Sequence, residues 1–213
     1  MIEPALLSLY LGALTAVYLS PGPDMALIMA VSAGRGRRPG LYTATGIGAA
    51  RFLHVMGSGL GLATLFVAHP SFQNIVRIAG SGYLLFWAWQ MLSSRSATID
   101  ETVSGSTTGS DMLRGFLTNL LNPKALLFCS MLLPQFATPE RGALLPQFIR
   151  LGVILVGVGL FFDVIYVFLA DGLVQRLRAG SGPGTEVGLR LEKVRNRLMT
   201  IVFVGIAVRL LVG

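Results

Sequence analysis

The segment Ser20-Pro21-Gly22-Pro23-Asp24 interrupts an apolar stretch that runs from Pro4 to about Ala33. A second apolar stretch, over residues 112–136, is interrupted in the same way by Asn122-Pro123-Lys124. Proline removes a backbone donor and disrupts the helical turn before it, and in both stretches it stands beside a charged residue. Each stretch is therefore predicted to be an apolar helix that is broken near its middle.

The composition around these breaks is typical of a membrane protein. Of the 213 residues, 53% are hydrophobic and 13% are charged, and the mean hydropathy is +0.69. An ordinary soluble domain has about 25% charged residues, and a disordered chain is far less apolar. The net charge of +7 would suit a nucleic-acid binder, but the apolar content does not, so no nucleic-acid partner is expected.

The apolar stretches predict an all-α integral membrane protein. At about 20 residues per span, the chain has room for about six transmembrane helices with short loops and no soluble domain. Helices are expected because lipid cannot satisfy open backbone groups, and the runs are too long for barrel strands. The last stretch is short and spans only if it begins within the basic segment 190–197, tilts or thins the bilayer. The predicted spans are residues 4–33, 41–68, 72–92, 112–136, 143–169 and 198–212.

The basic residues that flank these spans predict an orientation. With six spans, the first, third and fifth connections lie on one side, together with most of the 17 arginines and lysines. The positive-inside rule places that side in the cytoplasm and both termini outside. Arg35, Arg37 and Arg38 are expected to fix this orientation and to touch anionic lipid head groups. A gate at the cytoplasmic entrance is a second role open to these arginines.

The two broken helices lie at matching positions, three spans apart. An odd number of spans per half means that the second half enters the membrane in the opposite direction, which is typical of transporters built from inverted repeats. The predicted halves are residues 1–92 and 112–213 of one polytopic domain, joined by a flexible linker over 93–111. Discontinuous helices at matching positions indicate a binding site at the membrane midplane.

The breaks supply candidate substrate-binding residues. Half-helices that start near Met25 and Ala125 present free N–H groups and a positive dipole end, which attract an anion such as a carboxylate. Asp24 is expected to bind a substrate ammonium or the coupling proton, and Lys124 a substrate carboxylate. A permanent Asp24–Lys124 ion pair and a pair of kinks used only for packing are the alternatives. The candidates are Pro21, Gly22, Pro23, Asp24, Asn122, Pro123 and Lys124.

Three further polar residues lie inside predicted spans, where charges usually face the protein interior and pair. Arg51 and His54 are three residues apart and share a helix face. His54 can titrate in the physiological range and carry a proton, or it can be a histidine hydrogen-bonded between helices. Asp163 is expected to be the counter-ion of Arg51 or a second proton site. An ion pair that only holds the second and fifth spans together is the alternative.

The residues at both breaks resemble the LysE/RhtB family of amino-acid exporters. Leu19-Ser20-Pro21-Gly22-Pro23 and Gly34-Arg35-Gly36-Arg37-Arg38-Pro39-Gly40 are similar to the first span and loop of the family. Asn119-Leu120-Leu121-Asn122-Pro123-Lys124 resembles its second motif, which adds Asn119 to the substrate-binding candidates. The resemblance covers nearly the whole chain. It implies an inner-membrane exporter of amino acids or related metabolites, driven by the proton or an ion gradient and without a cofactor. Arg51 has no position in this family pattern.

Other functions fit the residues less well. An exporter of a metal ion or another small charged solute is the nearest alternative, but metal transport favours clustered ligands and the spans offer isolated ones. A thiol-electron carrier needs two cysteines, and the chain has only Cys129. No HExxH motif or nucleotide-binding loop is present, so neither an enzyme nor ATP-driven transport is expected. A non-transporting assembly subunit has little reason to carry paired broken helices. A homodimer is possible, because glycine-rich helix faces can pack between two copies of the chain.

Overall fold

Prolines determine where several helices begin in the computed structural model. The structure describes residues 3–61, 70–93, 107–137, 139–179 and 186–212, and these ranges are helical with no strand among them. Helices α1, α2, α4 and α6 each begin at a proline, because a first-turn N–H has no intrahelical partner to lose. The α-helices are α1 (Pro4–Leu19), α2 (Pro23–Arg35), α3 (Arg37–Gly59), α4 (Pro70–Ser93), α5 (Thr108–Leu120), α6 (Pro123–Leu127), α7 (Leu144–Ala179) and α8 (Glu186–Val212).

Both predicted breaks are present. α1 and α2 are bent by 55° relative to each other, and so are α5 and the segment Pro123–Phe136. The half-helices begin at Pro23 and Pro123, slightly before the predicted starts, because proline takes the first helical position. α6 passes into a π turn at Phe128 and a 3-10 turn at Leu133. Pro134 explains this change, since it cannot donate the hydrogen bond that a regular α-helix needs there.

The helices fit a membrane span to different degrees. Within the described ranges, Leu144–Arg176 of α7 is long and apolar enough to cross a membrane by itself. Counting each bent pair, α1–α2 and α5–α6, as one span raises the number to three. The outward side chains of α7 include Val153, Phe161 and Leu169, each more than half exposed, and an apolar surface of this kind suits lipid. The arrangement of six spans stays a prediction.

Several helix ends differ from the predicted spans. α3 ends at Gly59, and residues 62–68 of the predicted second span lie outside the described residues. α7 continues ten residues past the predicted end at 169, to Ala179. α8 begins at Glu186, so the basic segment 190–197 and the short last span form one helix of 27 residues. Both chain ends and linker residues 94–106 lie outside the described residues, so their predicted placement is untested.

α3 lies at the centre of the fold and packs against α2, α5 and α7, while α4 packs against α8. The contact between α3 and α5 depends on glycine in both helices. A Cβ at Gly46 would overlap the Met112 carbonyl, and a Cβ at Gly115 would overlap the Thr43 carbonyl. Close approach of backbones through small residues is the usual way in which helices pack in membranes. α3 of the first half and α5 of the second are therefore joined by close backbone contact.

Gly46→Ala and Gly115→Ala should each lower the free energy of unfolding by about 1–3 kcal/mol, because the added methyl group forces α3 and α5 apart. Thermal unfolding in detergent measures the effect. Gly157→Ala on α7 is the matched control, since a Cβ there meets nothing within 4 Å. Equal melting temperatures for all three variants would contradict the packing described here.

Candidate functional site

The two breaks face a small cavity of about 50 Å³ between the halves. It has room for a few water molecules, so a solute of amino-acid size requires the surrounding helices to move apart. The cavity is lined by α1, α3, α7 and both breaks. Its polar residues are Tyr18, Ser20, Asp24, Arg51, Asn119, Asn122, Lys124, Asp163 and Tyr166.

The Asp24 carboxylate joins the first break to the second. Asn119 Nδ2 donates to one of its oxygens at 2.7 Å, and Asn122 Nδ2 donates to the other at 3.0 Å. Arg51 Nη2 lies 3.5 Å from the same carboxylate. Asn119 is fully buried, and its Oδ1 has no hydrogen-bond partner within the described part of the chain. The predicted residues Asp24, Asn119, Asn122 and Arg51 therefore form one cluster.

Arg51 is shared between two carboxylates. Its Nη1 and Nη2 donate to Asp163 Oδ2 at 2.6 Å and Oδ1 at 3.1 Å, which is a bidentate pair. The guanidinium also lies over the Tyr18 ring, 4.8 Å from its centroid. The Arg51 and Asp163 side chains are 4% and 3% exposed, so water screens this pair very little. The structure thus provides the counter-ion expected for Arg51, and places Asp24 beside the same pair.

Lys124 and Asp24 have different partners. Lys124 Nζ donates to the carbonyl oxygens of Val17 at 2.6 Å and Ser20 at 2.7 Å, at the end of α1. These contacts take the place of the Asp24–Lys124 ion pair considered from the sequence. The Lys124 backbone N–H donates to Asn122 Oδ1 at 3.0 Å. The second break is therefore capped by its own chain, and an N–H group expected to face a ligand is occupied.

His54 stabilises the second break from the first half of the chain. It is buried on α3, and its Nε2 donates to the Asn119 carbonyl at 3.1 Å. In a continuous helix that carbonyl would accept the N–H of residue 123, which is a proline and has none. Here the carbonyl accepts the Asn122 N–H at 3.0 Å in addition to the His54 ring N–H. This contact matches the histidine hydrogen-bonded between helices. A role of His54 in proton transfer stays a prediction.

Pro21, Gly22, Pro23 and Pro123 shape the breaks through the backbone. Pro21 cannot supply the N–H that the carbonyl four residues earlier would accept. Pro23 and Pro123 stand at the starts of α2 and α6. Gly22 caps α2, and a Cβ there would lie 3.6 Å from Lys124 Cδ and 3.7 Å from its Nζ. The first hydrogen bond within α2 runs from the Ala26 N–H to the Gly22 carbonyl. The N–H groups of α2 before Ala26 have no acceptor within the helix.

A second cavity, which we call the vestibule, is open and has a volume of about 760 Å³. Arg35 Nη1 lies 2.5 Å from Asp111 Oδ1, and Arg37 Nε lies 2.5 Å from Asp171 Oδ2. The first pair joins α2 to α5, and the second joins α3 to α7. Arg35 is eleven residues from Asp24 on α2, which is about 16 Å along the helix. The vestibule is lined by Arg35, Arg37, Arg38, Pro39, Tyr42, Thr108, Asp111, Asp171 and Gln175.

Sequence reasoning missed Asp111 and Asp171. It assigned Asp111 to the linker, and it ended the fifth span before Asp171. The scarcity of acidic residues is the signal that could have identified both. The chain has only 10 aspartates and glutamates against 17 arginines and lysines. An aspartate beside a span on the arginine-rich side is therefore expected to form an ion pair with one of those arginines.

The arrangement is suited to a polar solute. Among the described residues, no three His, Cys, Asp or Glu side chains are placed to hold a metal. What the cavity offers is a carboxylate, two amides and buried charges on helices that belong to different halves. Such a site can bind a small zwitterion if the halves separate.

Comparison with known proteins identifies the family. The family model for the LysE type translocator matches residues 15–213. The leucine efflux protein of Salmonella choleraesuis is 31% identical over 201 residues, which cover 91% of this chain and 89% of that protein. The homoserine/homoserine lactone efflux protein of Salmonella typhimurium is 30% identical over 170 residues, covering 79% of this chain and 82% of that protein. No solved structure matches this chain. With its two broken helices, buried charges and near full-length match, the chain belongs to the LysE family of membrane translocators.

Proposed function

We propose that this protein is a secondary active exporter of amino acids or closely related small metabolites. The observation that carries the proposal is the Asp24 carboxylate, held by Asn119 and Asn122 where two broken helices meet. A carboxylate at this point can bind the ammonium group that all amino acids share. Membership of a translocator family, with relatives named for leucine and homoserine efflux, supports the same substrate class.

The cavity provides contacts for both ends of a zwitterion. The substrate ammonium binds Asp24. A second acceptor is the Oδ1 of Asn119, a cavity-lining residue, since this oxygen has no hydrogen-bond partner in the described part of the chain. The substrate carboxylate binds at the start of α2, where first-turn N–H groups and the helix dipole favour negative charge. These contacts favour a free amino acid over a simple cation, because they recognise both charges of the solute.

In this proposal, the sharing of Arg51 couples transport to the proton gradient. One guanidinium serves both Asp24 and Asp163. When a substrate ammonium arrives at Asp24, it competes with Arg51 for that carboxylate, and Arg51 then pairs with Asp163 alone. When the substrate leaves, a proton can take its place on one of the two acids. We therefore place the coupling proton on this pair of carboxylates, with His54 nearby.

The fold supports two inverted repeats of three spans, residues 1–92 and 112–213. The equal bends of 55° at matching positions are what an internal two-fold relation would produce. The central packing of α3 against α7, and of α4 against α8, also pairs corresponding helices of the two halves. In this arrangement the vestibule faces the cytoplasm, and both termini lie outside.

The ion pairs of the vestibule act as a cytoplasmic gate in this proposal. Arg35→Asp should lower export strongly, since it places two carboxylates together across α2 and α5. Adding Asp111→Arg should restore a measurable part of it, because the swapped pair can form again. Export assays on membranes with equal amounts of each variant measure this. No recovery in the double variant would argue against a gate at this pair.

Efflux from loaded proteoliposomes tests the function directly. Vesicles that contain the purified protein are loaded with single amino acids, among them leucine, homoserine and lysine, and efflux is followed with and without an imposed proton gradient. Gradient-dependent efflux of at least one amino acid, abolished by a protonophore, is expected. Protein-free vesicles are the control. Efflux of none, or of inorganic cations alone, would overturn the proposal.

A further inference from the structure

The end of α1 carries carbonyl oxygens that have lost their helical donors. In a continuous helix the Val17 carbonyl would accept the N–H of residue 21, and Pro21 has none. The chain then bends by 55°, which takes the following carbonyls out of line with α2. These oxygens form the negative end of the α1 dipole. The end of α1 therefore requires donors or a cation from elsewhere in the molecule.

Side chains of the second half supply those donors. Lys124 Nζ donates to the Val17 and Ser20 carbonyls at 2.6 and 2.7 Å. Tyr166 Oη donates to the intervening carbonyl, that of Tyr18, at 2.8 Å. The Lys124 side chain reaches these oxygens beside Gly22, which leaves room for it. A charged ammonium thus lies between two main-chain oxygens of a broken helix.

We propose that the end of α1 is a monovalent-cation site and that the Lys124 ammonium is its tethered occupant. Carbonyl oxygens at the ends of broken helices are ligands that transporters use for sodium ions. In this chain the cation arrives from α6, so no free sodium ion is needed to hold the first break in shape. The ammonium faces oxygens of the chain itself, which differs from the substrate-carboxylate role predicted for Lys124 from the sequence.

Removal of the amine should open the site to a free cation. In Lys124→Ala, the Val17 and Ser20 oxygens remain and the space of the side chain becomes available to water and ions. Sodium or ethylammonium can then bind there, whereas choline is too large and has no N–H donor. The inference is independent of which solute is exported, since it concerns the stability of the break.

Thermal unfolding of the full-length protein in detergent tests this inference. Wild type, Lys124→Ala and the matched control Arg150→Ala are compared in sodium, ethylammonium and choline chloride at equal ionic strength. Arg150 is an exposed cation that bonds its own helix. Lys124→Ala should melt at a lower temperature than wild type in choline and gain about 2–4 °C in sodium or ethylammonium. Wild type and Arg150→Ala should show no such gain.

A gain of equal size in wild type, or none in Lys124→Ala, would overturn the inference. If Lys124→Ala does not accumulate, Lys124→Arg and Lys124→Met are compared instead. The arginine keeps a donor and a charge, so it should be the more stable of the two, and a methionine variant at least as stable would also overturn the inference. Because the readout is a melting temperature, either failure leaves the export proposal to its own efflux assay.

Discussion

Asp24→Asn should reach the membrane in normal amounts and export about tenfold to a hundredfold less than wild type. The variant keeps the size of the side chain and a polar end, but it removes the charge that binds the substrate ammonium. A hydrogen bond to a charged group contributes about 1.5–3 kcal/mol, which corresponds to this range of rates. Initial rates of efflux from proteoliposomes with equal protein content measure the loss.

Two further variants make the Asp24 result specific. Glu3→Gln removes a carboxylate from an exposed ion pair with Arg141 at the start of α1, the end of that helix opposite the first break, and should export normally. Asp24→Glu keeps the charge but shifts it by one methylene group, and should fall between wild type and Asp24→Asn. Wild-type export by Asp24→Asn would remove Asp24 from the substrate site and with it the proposed binding of the ammonium.

Arg51→Met should have the largest effect on stability of any single change near the cavity. It leaves Asp163 and Asp24 without their shared cation, in a site where Arg51 and Asp163 are almost fully buried. Removing one partner of a buried pair costs about 3–5 kcal/mol. For a chain of this size that is a fall in melting temperature of roughly 10 °C. Thermal unfolding in detergent measures it.

The companion variants separate charge from packing. Asp163→Asn should be milder than Arg51→Met, because Arg51 retains Asp24 as a partner at 3.5 Å. The double variant Arg51→Met/Asp163→Leu should recover much of the stability, since the buried carboxylate is gone, but none of the export. If Arg51→Met melts at the wild-type temperature, the shared cation does not stabilise the fold.

Local sequence accounts for the breaks and for little of the chemistry between them. Pro21, Pro23 and Pro123 act on their own helices, so the positions of both bends follow from the residues beside them. The polar residues near each break could also be named from the sequence. Their partners could not, because Asp24 and Asn119 are separated by 95 residues along the chain and meet only through the packing of the two halves.

Lys124 is the clearest example of a residue whose partners could not be predicted from the sequence. Its place beside Pro123 and opposite Asp24 in the repeat made an ion pair or a substrate carboxylate the natural expectations. Neither expectation includes the Val17 carbonyl on the other side of the cavity, which lacks a helical donor because of Pro21. The contact of Lys124 with that carbonyl depends on where α1 ends in space relative to α6. His54 is a similar case with the halves exchanged: a side chain of the first half donates to the Asn119 carbonyl beside the break of the second half.

The sequence by itself determined that this chain is an apolar helical protein with two matching broken helices, because composition and proline act locally. Its motifs were also sufficient to identify the LysE family. Only the tertiary structure decided which charges meet: Arg51 with two carboxylates, and the vestibule arginines with Asp111 and Asp171. The physical reason is that an ion pair between helices depends on their depth and rotation. Those are set by contacts such as Gly46 on the Met112 carbonyl, which no local pattern encodes.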